Sequence, residues 1–222
     1  MWRSILCATV ALSLWSAGLA RADAPIAALE RGPLAVVHEA AVQPTHGLPL
    51  TLAYFSEAWQ VESIASSLRE SARILGQCGV EISSAELVRL YAPPRFRDFD
   101  TLASRELART LRLPKPTVYF VAGTRQSPAF EAEAIGRANS GTRAELADTV
   151  WVTRGTRDLG IALAHELAHV LMDSGEHSDE PGNLMRANTA PQNTRLDTAQ
   201  CARLRETATA NGLLKPLAPG SR

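Results

Sequence analysis

Residues 165–169 read His-Glu-Leu-Ala-His: two imidazoles four positions apart with a carboxylate beside the first. In a helix, four residues advance the chain by one turn and about 40° of rotation. His165 and His169 then stand one above the other on the same face, where two imidazoles can grip one ion. Glu166 lies beside them, placed to take a proton from water. The surrounding run supports a helix over Leu159–Ser174, ended by Gly175, with Leu159, Leu163, Leu167, Val170 and Leu171 on the side opposite the histidines. The pattern also arises by chance on solvated helices. Here the helical context is present, and of five histidines in the chain, three fall between positions 165 and 177.

Zinc in a hydrolytic site takes three protein ligands and keeps a fourth position for water. His177 is the obvious third donor, and Asp173, Glu176 and Asp179 are the oxygen donors that compete with it. With three neutral imidazoles the ion keeps its charge, which makes it a Lewis acid and leaves Glu166 as general base and then proton donor to the leaving amine. His38 and His46 sit in a proline-containing N-terminal stretch and read as solvated loop residues.

From His177 the chain continues Ser-Asp-Glu-Pro-Gly-Asn-Leu-Met. This stretch resembles the metzincin clan of metalloproteases, and within it the matrixin-like branch. There the third zinc histidine is followed by Ser, then by Pro four residues after the His, then by a Leu-Met pair whose Met turns tightly beneath the metal. His177, Ser178, Pro181, Leu184 and Met185 match in type and spacing. The spacing departs from the clan's HExxHxxGxxH pattern, because Gly175 follows His165 by ten residues and His177 follows Gly175 by two. A helix about one turn longer and a shorter return are therefore expected. Identity at residue level is confined to 165–185, and no cysteine-switch sequence of the matrixin type is present.

The resemblance implies an α/β fold: a single metzincin-like catalytic domain with a twisted mixed sheet, an antiparallel edge strand, a backing helix, the HExxH helix and a C-terminal helix. It implies a zinc metalloendopeptidase with Glu166 as base, His165, His169 and His177 as Zn2+ ligands and Met185 as an apolar floor. An extended protein or peptide substrate would add to the edge over residues 132–138, with Ile135, Gly136, Arg137 and Ala138 as its contacts. Arg186–Thr194 would wall the pocket beyond the cut. The alternatives are a non-catalytic zinc-binding module on the same fold and a different HExxH metallohydrolase.

The elements that must position these residues follow from periodicity. Leu50–Phe55 reads as a strand, and Ala58–Leu75 as a helix, with Val61, Ile64, Ala65, Leu68, Ala72 and Leu75 at helical spacing. A second strand falls within Val80–Leu90, a helix over Thr101–Leu111, and strands over Thr117–Ala122 and Thr149–Thr153, with a short polar edge strand over Glu131–Ala138 between them. Asp197-Thr198-Ala199-Gln200 forms a capping box before a helix to about Ala210. The expected organisation is a signal peptide over 1–22, an irregular segment over 23–48, the peptidase domain over 49–213 and a tail over 214–222.

Export rests on a positive start at Met1-Trp2-Arg3, an apolar run from Ser4 to Ala20 and a small-x-small cleavage site at Ala20-Arg21-Ala22. Cys7 leaves with that segment, and Cys78 with Cys201 form an even pair in an oxidising compartment, periplasmic or extracellular, which suggests one disulfide. The 222 residues carry 23 basic and 23 acidic side chains, so no net field points to nucleic acid or, after signal cleavage, to a membrane. Oligomeric state is not legible.

Overall fold

The computed structural model describes residues 25–36 and 43–218. The expected signal segment over 1–22, its Cys7, and His38 lie outside the described residues. In chain order the elements are β1 (Ala27–Pro33), β2 (His46–Tyr54), α1 (Val61–Gly76), β3 (Val80–Tyr91), β4 (Asp98–Phe99), α2 (Thr101–Leu111), β5 (Thr117–Phe120), β6 (Gly123–Thr124), β7 (Ala132–Ile135), β8 (Thr149–Val152), α3 (Leu159–Met172), α4 (Thr198–Ala210) and β9 (Lys215–Pro216). The main sheet runs β1-β3-β2-β5-β8-β7, with β9 paired to the start of β2 and with β4 and β6 forming a separate short pair.

The sheet is mixed. Its interior pairs β2 with β3, β2 with β5 and β5 with β8 are parallel, while the outer strands β1 and β7 run antiparallel to their neighbours. Strands β5 and β8 are buried at every residue, as parallel strands covered on both faces are. Leu52, Tyr54, Val118, Phe120, Val150 and Val152 point into one core, which also takes the buried side of α1, nearly all of α3 and part of α4. The alternate residues Ala53, Phe55, Tyr119, Val121 and Trp151 point into a second core with Leu107 of α2. Two buried layers of side chains thus sandwich the sheet in one α/β domain.

Several boundaries differ from the sequence reading. The segment expected to be irregular over 23–48 contains β1, and β2 starts at His46 rather than Leu50. The β1 sequence, Ala-Ala-Leu-Glu-Arg-Gly-Pro, has no apolar alternation because it pairs on one side only, with a register shift between Ala28 and Glu30. The expected tail supplies β9. Helix α1 begins at Val61, since Ala58 and Trp59 fold back in a turn on Phe55 O.

Cys78 and Cys201 are joined in a disulfide across 123 residues, with Cα atoms 4.9 Å apart. The bond ties the turn between α1 and β3 to the first turn of α4. Next to it, Gln77 bridges the same gap: its Nε2 donates to Thr194 O at 2.9 Å and its Oε1 accepts from Leu196 N at 2.9 Å. The chain between α3 and α4 is therefore anchored from behind. Among the described residues, no helix is long and apolar enough to cross a membrane.

Candidate metal centre

Helix α3 is built from Ala and Leu around the two histidines, residues of strong helix propensity without an interior Pro. It is not the two-faced helix expected: every residue from Gly160 to Met172 except Glu166 is buried. The reason is its position between α1, α4, β7 and β8, which leaves it no broad solvent face. Near its start Gly160 lets α1 approach. A Cβ there would stand 2.5 Å from Glu70 Cβ, and Ser71 Oγ donates to Gly160 O at 2.8 Å.

His165 and His169 point from this helix into a cleft of about 400 Å³, where Glu166 and His177 join them. His169 Nε2 lies 2.9 Å from His165 Nε2 and 3.3 Å from His177 Nε2. Each helix histidine has its other nitrogen on a backbone carbonyl, His165 Nδ1 on Leu184 O at 2.7 Å and His169 Nδ1 on Ser174 O at 2.6 Å. A carbonyl only accepts, so both Nδ1 atoms carry the proton and both Nε2 atoms present bare lone pairs to one another. At 2.9 Å that contact repels unless a cation stands between them. A tetrahedral ion with metal–nitrogen bonds near 2.0–2.1 Å sets its ligand nitrogens roughly 3.3 Å apart, close to the spacing found. The chemistry of the donor set fits a metal.

The three histidines are the group of three metal-competent donors among the described residues, their ligand atoms within 4.8 Å of one another. The competing carboxylates are engaged elsewhere or fall outside that group. Asp173 Oδ1 accepts from Ala138 N, Glu176 pairs with Arg203 at 2.7 Å, and Asp179 is not among the grouped donors. Burial and then the neighbouring His165 push the His169 imidazole down to about 4, so it stays neutral, the form that binds metal.

The turn at Leu184–Met185 holds two of the three ligands. Leu184 O orients His165, and Met185 O accepts the Ser178 N–H at 2.7 Å, which fixes the loop carrying His177. Met185 is 1 % exposed and lies in the core beneath the loop, sharing a small cavity with His177. The turn is itself gripped by buried Asn183, whose Oδ1 accepts from Met185 N at 2.8 Å and whose Nδ2 donates to Gln200 Oε1 at 2.9 Å. Gln200 closes the capping box that starts α4, three residues after Asp197. The capping box was legible from Asp197 and Gln200, whereas nothing in the sequence marks Asn183.

Neither a protein-family model nor a curated protein matches this chain.

The helix ends at Met172 and not at Gly175, and Asp173 makes the turn in the left-handed conformation (φ 46°, ψ 50°). The expected longer helix is therefore absent. The extra residues between His169 and His177 form a loop, in which Ser174 N donates to His169 O.

Strand β7 forms the opposite wall. Thr153 N donates to Glu131 O, so the hydrogen-bonded pairs with β8 fall at Glu131, Glu133 and Ile135. The backbone groups of Ala132 and Ala134 consequently face away from β8, and both residues line the cleft. The four residues expected to contact substrate fare differently. Ile135 is buried in the far core, Arg137 is committed to Asp148 and Asn211, and the Ala138 N–H is taken by Asp173. Gly136 and Ala138 both line the cleft. The edge that faces the cleft thus lies over Ala132–Gly136, within the expected 132–138, with the Ala134 amide directed at Glu166. Of residues 186–194, Ala187 borders the cleft.

Glu166 shares the cleft with the histidines. Burial raises its carboxyl to about 8, the nearby Glu133 charge adds to this, and the Ala134 backbone amide opposes it. A divalent cation on the neighbouring imidazoles acts in the opposite direction and favours the carboxylate.

Proposed function

We propose that this protein is an exported zinc-dependent endopeptidase of the metzincin type. The observation that carries the reading is the convergence of three imidazole nitrogens beside Glu166 in a cleft whose far wall is an open strand edge. Three nitrogen donors favour zinc over magnesium or calcium, which prefer oxygen. Zinc bound there supplies a Lewis acid and lowers the pKa of water toward neutrality.

The chain's own groups do the rest. The amide and carbonyl groups of Ala132 and the carbonyl of Ala134 hold an extended peptide by main-chain bonds, which selects weakly for side chains and suits cleavage within a chain. Glu166 accepts the proton of the attacking water and returns it to the departing amine nitrogen. His165 and His169 keep their orientation through Leu184 O and Ser174 O. The Cys78–Cys201 bond is compatible with an oxidising compartment.

The test is cleavage of casein by the mature protein with and without a chelator, alongside elemental analysis. About one zinc per chain and chelator-sensitive cleavage are expected. Glu166→Gln should keep the zinc and lose at least about a hundredfold in activity, the lower end of what a positioned base contributes. Full activity in that variant would refute the role of Glu166, and protein that binds zinc yet cleaves nothing would favour a non-catalytic module.

A further inference from the structure

The metal helix and the open strand meet at two polar contacts, the Ala134 amide against the Glu166 carboxyl inside the cleft and a clamp at its end. Asp173, directly after α3, holds a left-handed backbone conformation that glycine adopts freely and other residues only at a cost. Its Oδ1 accepts the N–H of Ala138 at 2.9 Å, just beyond the end of β7. Gly136 makes this reach feasible, since a Cβ at that position would stand 2.7 Å from the same oxygen. The other side chains that β7 turns toward α3 are Ala132 and Ala134, too small to fix a spacing by interlocking. Arg137 fastens the outgoing chain a second time, its Nη2 donating to Asn211 O at 2.7 Å and its Nε to Asp148 Oδ2 at 2.9 Å.

We infer that Asp173 is a positioning residue for the substrate: its carboxylate sets the width of the groove between α3 and β7 into which an extended peptide main chain fits. The groove has two walls, the helix with the metal donors and the strand with the open edge. Asp173 is where the helix takes hold of the strand. The same carboxylate compensates for a left-handed turn without glycine. The metal donors have bonds of their own, to Leu184 O, to Ser174 O and through Ser178–Met185. Loss of the clamp therefore widens or loosens the groove and leaves metal affinity in place.

Two variants isolate the effect. Asp173→Gly keeps the backbone conformation and removes the clamp, whereas Asp173→Asn keeps an acceptor oxygen and tolerates the left-handed turn. Three quantities are read on the mature chain: amide exchange over residues 132–139, zinc affinity by chelator competition, and KM and kcat on fluorescent casein. The casein arm rests on the peptidase reading; the exchange arm does not. In Asp173→Gly, exchange at Ala138 should accelerate at least about tenfold and KM should rise about tenfold, as loss of a hydrogen bond to a charged group allows. Zinc affinity should stay within about twofold, since the donors keep their supports. Asp173→Asn should resemble the parent in all three. Unchanged exchange in Asp173→Gly, or a loss of zinc affinity in step with KM, overturns the inference. A parent that cleaves nothing sinks the peptidase reading, while exchange still decides the clamp.

Discussion

Replacing Asn183 with Ala probes how the turn beneath the metal donors is held. The side chain is 6 % exposed and makes three bonds: Oδ1 with Met185 N at 2.8 Å, Nδ2 with Gln200 Oε1 at 2.9 Å, and Oδ1 with Gln200 Nε2 at 3.2 Å. At about 1 kcal/mol net for each bond, the loss comes to about 3 kcal/mol. Urea unfolding of the metal-free protein should show this as a midpoint lower by roughly 1–1.5 M at unchanged slope. The same turn presents Leu184 O to His165, so zinc affinity should fall about tenfold or more, the usual effect of removing support behind a ligand. Chelator competition measures that second quantity separately. If the variant unfolds within about 0.5 kcal/mol of the parent and binds zinc equally well, the chain of support from α4 to His165 is wrong.

Substituting both Cys78 and Cys201 by Ser should cost about 4–5 kcal/mol for a loop of this length in the chain-entropy model. The parent mature chain should show no free thiol after unfolding, and two titratable thiols would disprove the bond. Gly160→Ala should destabilise by up to about 2 kcal/mol, because overlap of the new methyl with Glu70 costs about 1–3 kcal/mol and the helical gain returns about 1 kcal/mol. Thermal melts decide it, and a more stable variant would contradict the close crossing of α1 and α3.

The donor set was legible because its signal is local: His165, Glu166 and His169 need only a helix, and the Ala and Leu around them ensure one. His177 was reached through its distance to Met185, and the structure brings it to the other two. What failed was set by tertiary context. Asp173 ends α3 through a bond to Ala138, a residue 35 positions away, so no local rule favours it over Gly175 as the stop. Strand β1 lacks alternation because its residues pair on one side and face water, leaving no buried stripe for a pattern to record. Of the expected substrate contacts, Gly136 and Ala138 line the cleft, whereas Ile135 turns into the far core and Arg137 binds Asp148 and Asn211. Whether a backbone group of β7 is free depends on the register with β8, and on where Arg137 and Ala138 find partners in α4 and after α3. Buried Asn183 and the bridging Gln77 carry no motif at all.

The two outer strands of the sheet are unequal in a way that bears on self-association. On β1 the register slips between Ala28 and Glu30, Pro33 closes the strand without an amide proton, and Glu30 and Arg31 form ion pairs with Arg89 and Glu86 of β3. Bulges, proline and charge blunt an edge against templating another chain. Strand β7 has no bulge or proline along Ala132–Ala134, where its one charge is Glu133, and it is short, four residues long, and recessed beside the cleft. Further β-pairing is thereby discouraged along one border of the sheet and confined at the other to a recess that admits a single extended segment, which disfavours edge-to-edge stacking of folded copies.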